Sequence, residues 1–266
     1  RPATRWSRLS PAASGSVDRR PLDHPTRDRA HRVYAALTNH CNRTCPWCST
    51  CSSPEGGTWL ELDALRALLP AEGAFELQLE GGEPTLHPRF WDFVALGRGE
   101  ARCTRLVLCT NGVVIPRAPE KLKAWLARLG APLTVKLSFN HHLVERDPGL
   151  VALCLGVRDA LAELGGERLF VLNVRLRKGV EDDDARVKRA VEEAGLLPDS
   201  NVFFLQRYGF ASGEASWDVP VPVSDRFDLL NPDGKAYGPD LVARSEGMRA
   251  LTAKDGAVNH RGDRGH

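Results

Sequence analysis

Residues 38–48 read TNHCNRTCPWC and directly follow a short apolar run from Val33 to Leu37. The run predicts a strand, and the cysteines beyond it are spaced C-x3-C-x2-C. Three thiolates on one tight loop can bind three of the four irons of a [4Fe–4S] cluster, which leaves one iron without a cysteine. An open metal position is typical of a catalytic site, whereas a tetrad closed by Cys51 would be a structural zinc knuckle.

The other cysteines and the charges are unevenly placed. Four of the seven cysteines lie between Cys41 and Cys51, and this odd, clustered set favours a metal site over a disulfide framework. We therefore expect a reducing, cytoplasmic compartment. The net charge of +2 comes from residues 1–32, which hold eight Arg and three Asp. Residues 1–31 predict a disordered or poorly ordered arm, because they are rich in Pro, Ser and Ala and show no apolar periodicity. Their arginines are scattered rather than clustered, which disfavours a nucleic-acid-binding arm.

Strands and helices alternate along the chain, which predicts an α/β fold with a parallel sheet, either open or curled toward a barrel. A capping-box pattern from Thr58 to Glu61 precedes the first helix. No apolar stretch approaches the roughly 20 residues that cross a bilayer. The predicted strands are Val33–Leu37, Phe75–Glu80, Leu106–Cys109, Leu133–Asn140, Leu169–Arg177 and Val202–Leu205.

Three of the predicted strands alternate between apolar and polar residues. In the second strand, Phe75, Leu77 and Leu79 share one face, while the intervening Glu and Gln residues share the other. The fourth and fifth strands repeat this alternation. Since the apolar face must pack under the helices, the polar face should line a charged interior that can take a ligand. The alternative is an antiparallel sheet with one face in water.

A second motif, GGEP at residues 81–84, follows the second strand. With the C-x3-C-x-aromatic-C pattern, in which Trp47 is the aromatic residue, it resembles the radical S-adenosylmethionine (SAM) enzymes over about residues 33–206. The resemblance implies a partial (β/α)6 barrel over residues 32–207, open on one side. Residues 208–266 would be a C-terminal extension, whose hairpin pattern at Phe227–Tyr237 would cover the opening or finish the fold.

The resemblance also implies cofactor contacts at the ends of the strands. Cys41, Cys45 and Cys48 would ligate the cluster, and SAM would chelate the fourth iron. The sixth strand lacks the family's Gly-rich adenine motif. The other positions that match are Trp47 near the adenine, the backbone of Gly81, Gly82 and Glu83 for the amino group, Ser138 and Asn140 for the ribose, and Asn173 and Arg175 for the carboxylate.

The implied chemistry is reductive cleavage of SAM to a 5′-deoxyadenosyl radical that removes hydrogen from a substrate. It needs an external one-electron donor of the flavodoxin or ferredoxin type. No cysteine follows Cys154, so one cluster is expected. Candidate catalytic residues are His141 and His142, just past the fourth strand, and Cys51 beside the cluster.

The charged interior favours a small polar metabolite as substrate. The alternatives are modification of a peptide or protein, including activation of a glycyl-radical enzyme, and a non-catalytic zinc-binding interaction module. A membrane or nucleic-acid partner is not expected.

Overall fold

The computed structural model describes residues 31–177, 181–205, 209–213 and 226–262. Apart from His31, which begins the first strand, the predicted arm lies outside these residues. The strands are β1 (His31–Ala36), β2 (Phe75–Glu80), β3 (Cys103–Thr110), β4 (Leu133–Phe139), β5 (Arg168–Leu176), β6 (Ser200–Phe204) and β7 (Phe227–Leu230). The helices are α1 (Leu62–Leu68), α2 (Phe90–Gly99), α3 (Pro119–Arg128), α4 (His141–Arg146), α5 (Leu150–Leu164), α6 (Glu181–Glu193) and α7 (Leu241–Gly262).

The strands form one open sheet in the order β6-β5-β4-β3-β2-β1-β7. All six strand pairings are parallel, which confirms the α/β prediction of a partial barrel and makes the antiparallel alternative wrong. The segment from Phe227 forms the predicted hairpin, in which Tyr237 N donates to Leu229 O at 2.9 Å and Asn231 N donates to Lys235 O at 3.0 Å. It extends the sheet beside β1 as β7, and the chain then turns back so that Leu230 and Ala236 form an antiparallel bridge.

The hydrophobic core lies between the apolar face of the sheet and helices α1–α6. Residues such as Leu77, Leu108 and Val135 on the strands and Phe93 and Val157 on the helices are almost fully buried there. This is the face that the alternating pattern assigns to the core. The polar side chains of the same strands consequently point away from the helices.

The polar face is buried and held by ion pairs and hydrogen bonds. At its base, the Glu76 carboxylate accepts a hydrogen bond of 2.8 Å from Arg32 Nε and lies 3.8 Å from Arg105 Nε. Nearer the carboxyl ends, Lys136 Nζ donates to Gln78 Oε1 at 2.9 Å, and Gln78 donates to Glu80. These contacts all lie on the polar face of the sheet. The charged interior inferred from the sequence is therefore present, and these side chains pair with one another.

Replacing Glu76 with alanine should lower the free energy of unfolding by about 3–5 kcal/mol, because Arg32 and Arg105 then lose their shared buried carboxylate. The matched control is Asp63→Ala, which breaks an exposed pair with Arg66 and should cost at most about 0.5 kcal/mol. Denaturant unfolding of both variants checks the difference. Equal losses would contradict the structural role of the buried pair.

Two helix boundaries differ from the sequence-based expectation. The capping box is wrong: α1 begins after Glu61, which makes no side-chain cap, and the Thr58 amide is bound by Asn39 Oδ1 instead. His141 and His142 lie just past the fourth strand, as predicted, but they begin a short helix, α4, that the sequence pattern does not predict and that Asn140 caps. In the described part of the chain, no helix is long and apolar enough to cross a membrane.

Candidate active site

The cysteine loop, residues 38–58 between β1 and α1, meets the GGEP segment where β1 and β2 end. Gly82 N donates to Thr38 O at 2.7 Å, and Glu83 N donates to His40 O at 2.9 Å. A Cβ on Gly82 would lie 2.0 Å from His40 O, and Gly81 has a φ of +127°. The two glycines are therefore required because the backbones of the two segments touch.

The Glu83 side chain locks this junction to β3. Its carboxylate is fully buried and accepts hydrogen bonds from Thr110 Oγ1 at 2.7 Å and from Asn111 N at 2.8 Å. Asn111 Nδ2 in turn donates to Asn42 Oδ1 at 2.8 Å and lies 3.7 Å from Cys41 Sγ. Sequence analysis gave Glu83 only a backbone role and missed this side-chain contact.

The three thiols of the motif are free and partly or fully buried. Burial, with the nearby Cys48 thiol, raises the pKa of Cys41 well above its usual range and that of Cys45 to about 12. Cys48 N donates to Cys45 O at 3.1 Å, so a backbone turn brings these two positions of the motif together. Within the described ranges, no three His, Cys, Asp or Glu side chains are placed to hold a single metal ion.

Trp47 is packed between other side chains. Its ring is 3% exposed, with the Arg177 guanidinium carbon 4.2 Å and the His141 ring 4.8 Å from its centroid. His142 is also buried, and its Nε2 has no hydrogen-bond partner among the described residues. The pKa of His142 is lowered, mainly by burial and to a smaller extent by the positive charge of the nearby Arg146. The structure therefore brings both predicted histidines against the aromatic residue of the motif.

The predicted SAM contacts on β4 and β5 lie side by side. Ser138 and Asn173 are register partners, and the Asn173 Oδ1 atom is buried with no partner in the part of the chain described. Arg175 Nη1 donates to Ser49 Oγ of the cysteine loop at 3.3 Å. Asn140 uses its Oδ1 to accept from Leu143 N at 3.0 Å, so this oxygen serves as a helix cap.

The Cys51 side chain lies against α7. It is buried at a φ of +49°, and its thiol lies 3.9 Å from Ser245 O. Burial raises its pKa, which disfavours the thiolate. Its candidate catalytic role stays a prediction.

The site contains the types of ligand atom that a [4Fe–4S] cluster and SAM require. Three free thiols share one loop, and β5 brings two polar groups toward it: the Arg175 guanidinium, which reaches Ser49, and the Asn173 Oδ1 atom, which has no partner among the described residues. The cysteines of a [4Fe–4S] cluster bind different irons and need not converge on one point. A cluster is therefore compatible with the finding that no three side chains among the described residues are placed around a single metal ion. Residues 206–208, at the end of the sixth strand, lie outside the described ranges.

Comparison with known proteins found relatives by sequence, although no family model matches the chain. Molybdenum cofactor biosynthesis protein 1 of Bos taurus is 28% identical over 213 residues, which cover 75% of this chain and 32% of the relative. GTP 3′,8-cyclase of Heliobacterium modesticaldum is 28% identical over 165 residues, covering 58% and 49%. GTP 3′,8-cyclase of a Synechococcus species is 31% identical over 253 residues, covering 85% and 67%.

The chain thus spans from about a third to two thirds of the length of these relatives. Among solved structures, Streptococcus suis SuiB bound to the precursor peptide SuiA superposes with a TM-score of 0.49 at 15% identity. The match covers 67% of this chain and 40% of SuiB.

Proposed function

Because the chain belongs to the radical SAM superfamily, we propose that it is an enzyme that cleaves SAM reductively and removes hydrogen from a small polar substrate. The observation that carries this proposal is the junction of the three-cysteine loop with the GGEP segment, tied to β3 by Glu83. When bound, the cluster and SAM supply an electron transfer that yields methionine and a 5′-deoxyadenosyl radical.

The chain's own residues would hold these groups at the carboxyl ends of the strands. Cys41, Cys45 and Cys48 would ligate the cluster, with Asn111 donating toward the Cys41 sulfur. A hydrogen bond to a ligating sulfur stabilises its negative charge, so Asn111 would tune the potential of the cluster. Burial of the loop would exclude water and oxygen from the reacting atoms.

Asn173 and Arg175 would orient SAM. A guanidinium pairs well with a carboxylate, and the Asn173 Oδ1 atom, buried and unpartnered among the described residues, can accept from an amine or a hydroxyl. Ser138, beside Asn173 in register, would contact the ribose. Trp47 and the two histidines packed near it would lie toward the adenine side.

The paired charges of the polar face support a small polar substrate. Glu80, at the carboxyl end of β2, accepts hydrogen bonds from Gln78 and, at 2.8 Å, from Arg244 Nη2 of α7. A polar surface of this kind favours a ligand with several hydrogen-bonding groups, because an apolar ligand would remove water from partly exposed groups such as Glu80 without replacing its hydrogen bonds. The names of the relatives point the same way, since a GTP 3′,8-cyclase acts on a small anionic molecule.

The direct test is product analysis after anaerobic reconstitution with iron and sulfide. With dithionite and SAM, the protein should release 5′-deoxyadenosine and methionine in equal amounts, and omission of dithionite should stop the release. Addition of the substrate should raise the rate, which allows pools of small metabolites and of peptides to be compared. No 5′-deoxyadenosine from iron-loaded protein would overturn the proposal.

Replacement of Arg175 with methionine should weaken SAM binding by about ten- to a hundred-fold, because a charge-assisted hydrogen bond contributes about 1.5–3 kcal/mol. Equilibrium dialysis with labelled SAM on iron-loaded protein measures the change. Arg66→Met, at an exposed position on α1, is the control and should bind SAM as the wild type does. Unchanged binding in Arg175→Met would remove this residue from the SAM site.

A further inference from the structure

The C-terminal helix α7 contacts the cysteine loop at several points. Ser245 Oγ donates to Ser49 O at 2.8 Å, and the Cys51 thiol lies against Ser245 O. Arg249 donates to Gly209 O, whose neighbour Phe210 donates its amide to Cys48 O at 2.9 Å. The loop that carries the motif is thus covered by chain segments that come after β6.

A single carboxylate oxygen of α7 binds both ends of the loop. Asp255 Oδ2 accepts hydrogen bonds from Asn39 Nδ2 at 2.8 Å, from Gly57 N at 2.9 Å and from Thr58 Oγ1 at 2.9 Å. Asn39 is fully buried two residues before Cys41, and its Oδ1 accepts from Thr58 N at 2.9 Å. Asp255 therefore closes a ring of hydrogen bonds that joins the start of the loop to its end.

The charge state of Asp255 suits this role. Partial burial alone would raise its pKa, but the hydrogen bonds from Asn39, Gly57 and Thr58 stabilise the carboxylate and hold the pKa below its usual value. Hydrogen bonds to an ionised acceptor are roughly twice as strong as neutral ones. Residues 41–52 contain no helix and no paired strand, and isolated backbone hydrogen bonds, such as that from Cys41 N to Ser53 O at 3.0 Å, hold them. The contacts of Asp255 add to these by fixing the two ends of the loop.

We propose that Asp255 is a positioning residue for the cluster, acting through Asn39, Gly57 and Thr58 to hold the cysteine loop in its ligating conformation. Helix α7 then holds the two ends of the cysteine loop together, in addition to any part that the C-terminal extension has in covering the barrel opening. The proposal rests on the proposed function, because it concerns the cluster that Cys41, Cys45 and Cys48 would ligate.

The test compares Asp255→Ala with Asp240→Ala in the full chain. Asp240 caps the start of α7 by accepting from Val242 N and Ala243 N and touches no part of the cysteine loop, so its loss weakens the same helix elsewhere. Amide hydrogen exchange is measured on iron-free protein, and the rate of iron release to an anaerobic chelator on reconstituted protein. Asp255→Ala should exchange the Gly57 amide about ten-fold faster and release iron about ten-fold faster, whereas Asp240→Ala should change neither.

Asp255→Asn, which keeps an acceptor but loses the charge, should recover part of both effects, and Thr58→Val should show a smaller change in the same direction. Unchanged exchange at Gly57 in Asp255→Ala would show that Asp255 does not hold the ends of the cysteine loop together. Faster exchange with unchanged iron release would overturn the positioning role. A wild-type protein that takes up no iron would overturn the proposed function instead. The exchange measurement would still decide whether Asp255 stabilises the ends of the cysteine loop.

Discussion

Replacement of Cys45 with alanine should abolish 5′-deoxyadenosine formation and reduce the iron content by more than half. The physical reason is that three thiolates must share one cluster while its fourth iron stays open for SAM. Because burial raises the pKa of Cys45 to about 12, binding of iron must displace the thiol proton. Iron and sulfide analysis, with product chromatography under dithionite, measures both effects.

The matched control is Cys103→Ala, since Cys103 begins β3, at the end of the strand opposite the cysteine loop, and its thiol lies 3.6 Å from the Arg105 carbonyl oxygen. This variant should keep wild-type iron and product formation. A Cys45→Ala protein that still forms 5′-deoxyadenosine at the wild-type rate would show that the C-x3-C-x2-C loop is not the site of SAM cleavage. One tightly bound zinc per wild-type chain, with no iron, would favour the zinc-binding alternative.

Replacement of Gly82 with alanine should cost about 3 kcal/mol in the free energy of unfolding and prevent stable cluster assembly. The new Cβ would lie 2.0 Å from His40 O, and that oxygen belongs to the backbone next to Cys41. Since a backbone carbonyl cannot rotate away as a side chain does, the cysteine loop must shift from the GGEP segment. Denaturant unfolding and iron content report the two effects.

Gly99→Ala is the control for this substitution. Gly99 is the last residue of α2, and a Cβ there would meet nothing within 4 Å. Alanine is favoured over glycine in helices, so this variant should be neutral or stabilised by up to about 1 kcal/mol. If Gly82→Ala proves as stable and as iron-rich as Gly99→Ala, the close approach of the two segments is not required for the site.

The strands, and the face of the sheet on which each side chain lies, could be predicted because the alternation of apolar and polar residues reflects burial directly. The β2 prediction agrees at both ends with the observed strand Phe75–Glu80. The cysteine loop and the GGEP segment follow from short motifs whose spacing is set by their chemistry. Their contact follows from parallel strands, whose carboxyl ends share one edge of the sheet.

The elements that sequence reasoning missed are held by polar contacts. Helix α7 has no apolar stripe, because it docks through side chains such as Arg244, Ser245 and Asp255, and periodicity does not detect such a helix. The buried Glu83 carboxylate was hidden for the same reason, since Thr110 and Asn111 belong to a Thr-Asn-Gly sequence typical of a turn. Polar partners distant in sequence leave no local pattern.

The most direct test of the central claim is the Mössbauer spectrum of protein reconstituted anaerobically with ⁵⁷Fe, recorded with and without SAM. The account predicts four irons per chain in one cluster and a change at a single iron when SAM is added, because three irons have cysteine ligands and one is open. A spectrum that SAM leaves unchanged, or a chain that takes up no four-iron cluster, would contradict the account.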